Sequence, residues 1–135
     1  MPSLDSIAVK VEFSTGNVAP LLNEIRHAIQ RLLDTGESTA IDVMSLPITP
    51  HELEKLEETL GDGEVRAELD ALGESAIRET AIAGVWIVEH RNGDGELVAK
   101  HIEVARVPDI LCSQREDIAA GLDRLSRQFA AESHE

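Results

Sequence analysis

Short stretches in which apolar and polar residues alternate recur along the chain. Such a period of two is typical of a strand that has one buried face. In residues 7–13, for instance, isoleucine, valine, valine and phenylalanine occupy every second position. This alternation, together with a β-branched run, predicts six strands, at residues 7–13, 39–43, 64–69, 76–80, 84–91 and 96–107.

Apolar residues spaced three and four apart predict helices between these strands. The first helix spans residues 18–34, with Asn17 as its cap and Gly36 near its end. The second begins at a capping box formed by residues 49–52 and ends at Gly61.

A third helix is predicted after the last strand. It begins at a second capping box, residues 113–116, and continues to about residue 131. Its apolar side consists of Ile118, Leu122, Leu125 and Phe129. Because consecutive strands joined by tight turns favour antiparallel pairing, we predict an α+β fold. We expect an antiparallel sheet of about four to six strands, with about three helices packed mainly on one face. Residues 1–135 are expected to form a single domain, with residues 1–6 and 132–135 frayed.

The last two predicted strands are joined by Asn-Gly-Asp-Gly at residues 92–95. Asparagine and glycine tolerate the positive φ angles of tight hairpin turns, so this segment predicts a β-hairpin. We expect Arg91 to pair with Glu96, which places Trp86 opposite His101.

This pairing sorts the side chains of the hairpin onto two faces. The expected core face is apolar and consists of Val85, Ile87, Ile102 and Val104. The other face combines the only tryptophan with polar groups: Trp86, His90, His101 and Glu103. A tryptophan among polar groups is common at protein interfaces, which makes this face a candidate partner-binding surface. Two alternatives stay open: another helix covers this face and Trp86 is a core residue, or His90, His101 and Glu103 bind a metal ion.

The charge of the chain restricts its partners. There are 26 acidic and 12 basic residues among 135, and the formal net charge is −14. Nucleic acids and anionic membrane surfaces both require clustered basic residues, so neither is an expected partner. Residues 51–79 contain ten acidic and three basic residues. These acids include Asp62, Glu64 and Glu79, and the stretch is either a solvated face or a surface that attracts a basic partner.

The sequence contains no recognisable catalytic signature. Its one cysteine, Cys112, excludes an internal disulfide and Cys-rich metal sites, and it has no Cys-His motif around it. A single Glu24-x-x-His27 spacing is too little for a di-iron site, which needs two such motifs and two further glutamates. We therefore assign no catalytic residue and no cofactor. Without a signal-peptide pattern or a long apolar run, the expected compartment is the cytoplasm.

Short motifs follow one another in a fixed order along most of the chain. The first series comprises residues 21–25, 41–42, 46–47 and the Leu-Gly-Asp-Gly-Glu-Val of residues 60–65. The second comprises residues 79–80, 84–86, His90, Asn92, Gly95, 102–104, 107–108 and 110–111. In this order, between about residues 21 and 125, they resemble the HupH/HyaF family of hydrogenase expression and formation proteins.

The resemblance implies a non-enzymatic accessory protein, or chaperone, for the assembly of an uptake nickel–iron hydrogenase. Members of the family are thought to help mature the iron–sulfur small subunit or to protect assembly from oxygen. They often contain two related modules, of which this chain corresponds to one. Small-subunit precursors carry basic twin-arginine export signals. We therefore hypothesise that the acidic stretch and the Trp86 face contact such a precursor or another maturation factor.

Two other classes of function remain open at this stage. A metal or iron–sulfur carrier in the same pathway would use His90, His101 and Glu103. An enzyme would use Cys112 or a pair of carboxylates, and it would need a deep pocket with perturbed acids.

Overall fold

A computed structural model describes residues 16–70 and 73–133, so the strand expected at residues 7–13 lies outside the described residues. The helices in these ranges are α1 (Val18–Thr35), α2 (Pro50–Leu60) and α3 (Arg115–Ser133). The strands are β1 (Thr39–Asp42), β2 (Arg66–Asp70), β3 (Glu74–Glu79), β4 (Val85–Arg91) and β5 (Leu97–Val104). Short 3-10 turns follow β1 and β5, at Val43–Ser45 and Asp109–Leu111.

The five strands form one sheet in the order β1-β5-β4-β3-β2. Strands β2 to β5 follow one another as an antiparallel meander, and β1 pairs antiparallel with the free edge of β5. The prediction of an α+β fold with an antiparallel sheet is therefore confirmed. Consecutive strands joined by tight turns do pair antiparallel, as the prediction assumed, because each tight connection places the next strand beside the previous one.

Helices α1 and α2 pack on one face of this sheet and enclose the main hydrophobic core. The core side chains of the helices include Leu21, Ile25, Leu56 and Leu60. Those of β4 and β5 are Val85, Ile87, Ile102 and Val104, which confirms the predicted core face. Helix α1 ends where predicted, at Gly36, whose φ of 78° suits glycine because it has no Cβ.

The pairing of β4 with β5 differs from the predicted register. Trp86 lies opposite Glu103, and Val88 lies opposite His101, so the prediction that placed Trp86 opposite His101 is wrong. The register shifts at a bulge between His90 and Arg91, which the turn sequence does not reveal. The error amounts to two residues, and because side chains alternate with a period of two, each one stays on its predicted face.

The start of α2 is fixed by hydrogen bonds that also involve the start of α1. Thr49 Oγ accepts from the backbone N–H of Glu52 at 3.1 Å, and Glu52 Oε1 accepts from that of Thr49 at 3.0 Å, which confirms the predicted capping box. Glu52 Oε2 also accepts the backbone N–H of Asn17 at 2.9 Å. The predicted side-chain cap by Asn17 is wrong, because its amide instead donates to the carbonyl of Pro47.

These hydrogen bonds predict how stability responds to acid. The backbone N–H of Thr49, followed by that of Asn17, stabilises the charged carboxylate and lowers the pKa of Glu52 below its usual value. A carboxylate whose pKa is lower in the folded than in the unfolded protein stabilises the fold at pH values above its unfolded-state pKa. This stabilisation is lost as the pH falls through its folded-state pKa. We therefore expect Glu52→Gln to destabilise the fold clearly at neutral pH and less in acid.

The measurement is urea unfolding of the wild type and of Glu52→Gln, from about pH 7 to below about pH 4. The quantity compared is the difference in free energy of unfolding between the two proteins at each pH. Other carboxylates titrate in both proteins, so their contribution cancels in this difference. A difference that stayed constant across the whole range would contradict the role assigned to Glu52.

Helix α3 is placed differently from the other two helices. Every residue of α3 whose side chain is described is exposed to solvent, including the apolar side predicted from its sequence. None of the helices within residues 16–70 and 73–133 combines the length and hydropathy needed to cross a bilayer.

Candidate functional site

Five of the seven residues predicted for partner binding lie on one face of the sheet. This outer face, opposite α1 and α2, follows from the strand register, because directly paired residues share a face. Glu79, Trp86 and Glu103 form one row across β3, β4 and β5. His101 lies in the next row, beside Val88, and His90 lies one row further, opposite Ala99.

Trp86 is a core residue of the outer face. Only 5% of it is exposed, and it packs in a second, smaller cluster with Ile77 and Val88. Its indole N–H donates to the carbonyl of Ala105 at 3.0 Å, and Leu111 packs against the same cluster. Trp86 is therefore a core residue, as one of the two alternatives proposed, but the helix that this alternative expected over it is not the described cover. Within the described residues, the covering element is the segment after β5.

This covering segment, residues 105–111, occupies positions that were predicted in part as strand. Strand β5 ends at Val104 and not at residue 107. The backbone N–H of Ala105 donates to the carbonyl of Gly84, and the 3-10 turn Asp109–Leu111 follows. The chain therefore leaves the sheet early enough to fold back over Trp86.

The two histidines are half-buried and have polar partners. His90 Nδ1 lies 2.7 Å from Ser75 Oγ, and His101 Nε2 lies 3.2 Å from Glu103 Oε1. Glu103 Oε2 also accepts the backbone N–H of Asp109 at 3.0 Å. The Glu103 carboxylate therefore joins His101 of the sheet to the covering segment. The two imidazole rings lie 6.0 Å apart, centroid to centroid.

Metal-ligating side chains do not converge in the part of the chain that the structure describes. Within it, no three His, Cys, Asp or Glu residues are arranged so that they could hold a metal ion. Cys112 is exposed, and its Sγ lies 3.6 Å from the carbonyl oxygen of Pro108.

The remaining predicted residues, Asp62 and Glu64, lie on a loop beside the end of β3. We call residues 61–65 the acidic loop. The backbone N–H of Gly63 donates to the carbonyl of Glu79 at 2.9 Å, and the N–H of Glu79 donates to the carbonyl of Val65 at 2.9 Å. The acidic loop is thereby fixed to the end of β3. Asp62, Glu64 and Glu79 line one shallow cleft of about 330 Å³.

Two residues that hold this loop were not singled out by the sequence analysis. Gly63 lets the loop approach the backbone of residues 79–80 closely, and Thr80 is fully buried beside it. Thr80 Oγ donates to the carbonyl of Val85 at 2.9 Å and accepts the N–H of Ile82. Both residues belong to motifs that carried the family resemblance, so those motifs here have a structural role.

Part of the acidic stretch is neutralised within the fold. Glu57 forms ion pairs with Arg78 and with Lys100, whose Nζ lies 3.0 Å from its carboxylate. Lys100 also lies 3.2 Å from Glu89, and Arg78 lies 3.3 Å from Asp62. Lys100 comes from β5, outside residues 51–79, so no local pattern indicates this network. Glu64, which is exposed and outside it, contributes its full charge to the surface.

Comparisons with known proteins show that this chain is similar to hydrogenase expression proteins. The family model described as "HupH hydrogenase expression protein, C-terminal conserved region" matches residues 15–131. The hydrogenase expression/formation protein HoxQ of Azotobacter vinelandii is 32% identical over 111 residues, which are 81% of this chain and 39% of that protein. HupH of Rhodobacter capsulatus is 33% identical over 95 residues, 68% of this chain and 34% of that protein.

A solved structure has the same fold. It is that of hydrogenase expression protein HupH from Thiobacillus denitrificans, which is 46% identical in sequence, with a TM-score of 0.81. The match covers 86% of this chain and 97% of the solved one. By contrast, the chain spans only 39% of the length of the first curated relatives that it matches.

Proposed function

The chain belongs to the HupH family of hydrogenase expression proteins, and we propose from this membership that it is a non-catalytic accessory protein of hydrogenase maturation. It acts in the cytoplasm on an incompletely assembled hydrogenase subunit or on another maturation factor. The small, iron–sulfur subunit is the favoured client. The relatives are hydrogenase expression proteins by name, which supports the pathway, and the surface described above supports the mode of action.

The client docks on the acidic loop and on the adjoining edge of the outer face. The observation that carries this assignment is the attachment of the acidic loop to β3, which places Asp62 and Glu64 beside Glu79. The carboxylates are oriented by the fold, so they attract a basic segment such as an export signal. Trp86 supports this surface from beneath without contacting the client, whereas His90, His101 and Glu103 continue it across the sheet.

Neutralising the acidic loop is expected to weaken client binding. We expect the double variant Asp62→Asn, Glu64→Gln to bind purified small-subunit precursor roughly tenfold more weakly. It removes the charge of Glu64 and that of Asp62, whose side chain is 72% exposed although Arg78 lies 3.3 Å from it. The wild-type affinity should also fall as salt is added, since these groups are exposed to solvent. Titration calorimetry at low and high ionic strength measures both effects.

The matched control is the double variant Glu37→Gln, Asp94→Asn. It removes the same number of charges from exposed positions far along the chain from the acidic loop. We expect it to bind the precursor as the wild type does. If both variants lose affinity equally, only net charge matters and the proposed surface is wrong. If the wild-type protein does not bind the precursor or another maturation factor, the proposed function fails.

The carrier function is separated from this one by metal analysis. The proximity of the two imidazole rings is the observation that favours a carrier. A carrier would retain stoichiometric metal or iron–sulfur cluster after anaerobic purification and lose it in His101→Ala. For a docking protein, we expect the His101→Ala variant to show the same metal content as the wild type.

A further inference from the structure

The apolar side of α3 is an exposed surface of unusual regularity. We call Ile118, Leu122, Leu125 and Phe129 the α3 seam. Their exposed fractions lie between 61% and 72%. The spacing of four, three and four residues is that of a coiled-coil seam. A contiguous exposed apolar patch marks an interaction site, and an amphipathic helix gains most of its stability when such a face is packed.

The residues beside the seam are suited to the close approach of another helix. Ala119, Gly121, Ser126 and Gln128 flank it; all four are uncharged, and the first three are small. Flanking positions in coiled coils often carry charges that select a different partner, and here they do not. Another backbone can therefore approach closely beside Ala119, Gly121 and Ser126.

The charge of α3 points to a second copy of this chain as the occupant. Residues 115–132 contain 3 basic and 4 acidic residues, whereas the whole chain contains 12 and 26. The segment is thus close to neutral in a chain of net charge −14. Two copies of so acidic a protein repel each other over most of their surface, and α3 adds little to this repulsion.

The ends of the seam determine the direction of pairing. Arg115 precedes Ile118 by three residues, and Glu132 follows Phe129 by three, so both extend the same stripe. In an antiparallel pair, Arg115 of each copy faces Glu132 of the other, and Ile118 faces Phe129. In a parallel pair, each end brings like charges together. We propose that α3 forms an antiparallel, two-fold symmetric helix pair with α3 of a second copy.

Sedimentation equilibrium tests this pairing directly. From about 5 to about 200 µM, we expect the mass to rise from 14.7 kDa toward twice that value. Leu122→Glu should raise the dimer dissociation constant at least about tenfold, because it places a charge in the centre of the seam. The matched control is Leu33→Glu on α1, a leucine that is 75% exposed and lies outside the seam, which should dimerise as the wild type does.

A charge exchange tests the direction of the pair. In the antiparallel arrangement, Arg115→Glu faces Glu132 and should weaken the dimer by about two- to fivefold. Adding Glu132→Arg should restore it, because opposite charges face each other again. In a parallel dimer neither variant would alter the affinity, since like charges would be replaced by like charges.

Three results would overturn the proposal. The first is a wild-type protein that stays monomeric at all of these concentrations. The second is a Leu122→Glu monomer that unfolds at lower urea concentration than the wild-type monomer, because the seam would then pack within its own chain. The third is a monomeric wild type whose hydrogenase precursor binding is lost in Leu122→Glu, which would assign the seam to a client. None of these results depends on the acidic loop, so this proposal and the proposed function fail separately.

Discussion

Replacing Trp86 with alanine is expected to lower the free energy of unfolding by about 3–5 kcal/mol. The side chain is 5% exposed, and its removal leaves a cavity among Ile77, Val88 and Leu111. The carbonyl of Ala105 also loses the indole N–H that it accepts at 3.0 Å. Urea unfolding followed by circular dichroism measures the change, because the variant lacks the only tryptophan and therefore its fluorescence.

The matched control for this substitution is Val98→Ala on β5, a side chain that is 54% exposed. Its effect should lie within about 0.5 kcal/mol, as for most surface positions. If Trp86→Ala also cost less than about 1 kcal/mol, the covering segment would not hold the indole as described. A large loss has a further consequence: Trp86→Ala would reduce client binding by unfolding the protein, so it cannot identify the client surface.

Gly63→Ala is expected to destabilise the fold by about 2–4 kcal/mol, since it overpacks a backbone contact and strains a hydrogen bond. A Cβ at this position would lie 2.5 Å from the carbonyl oxygen of Thr80 and 2.9 Å from that of Glu79. Both obstacles are backbone atoms, which cannot rotate away as a flexible side chain would. The acidic loop must therefore move off β3, and its carboxylates move with it.

Two measurements follow for Gly63→Ala. Urea unfolding gives the loss of stability, and titration with the client precursor under folding conditions gives the loss of affinity. The control is Gly93→Ala in the hairpin turn, where a Cβ would meet nothing within 4 Å. We expect that variant to match the wild type in affinity. An unchanged stability in Gly63→Ala would show that the loop does not approach β3 as closely as described.

The sequence predicted those features of the fold that depend on local pattern. The core face of β4 and β5 was correct although the register was not, because an error of two residues preserves the alternation of faces. The capping box at Thr49 and Glu52 was correct because its hydrogen bonds span only three residues. The position of Asn17 was correct, but its actual partners, Pro47 and Glu52, lie 30 and 35 residues further along the chain.

Features that depend on distant contacts could not be predicted in this way. The apolar residues near 107 continue the strand pattern, so nothing local indicates that the chain leaves the sheet after Val104. The burial of Trp86 follows from that departure. Likewise, Lys100 and Glu57 are separated by 43 residues, and only the packing of α2 on the sheet brings them together. The sequence shows that residues 51–79 are acidic, but it does not show which of their carboxylates form ion pairs within the fold.

The sequence predicted which residues share the candidate surface, but it did not predict the role of the tryptophan among them. Glu79, His90, His101 and Glu103 do share a face, as the alternation indicated. The tryptophan that made this face resemble an interface anchor is instead its buried support. The exposed charge lies at the edge, where the acidic loop is attached to β3.

The most direct test of the docking role measures how much of the small subunit matures in cells that make this chain and the hydrogenase. The chromosomal copy of the chain is replaced by the Asp62→Asn, Glu64→Gln variant, or by the Glu37→Gln, Asp94→Asn control. Blotting then gives the ratio of mature small subunit to its precursor. We predict that precursor accumulates when the chain is absent and also with the first variant, but not with the control. Normal maturation in cells that lack the chain altogether would contradict the proposed function.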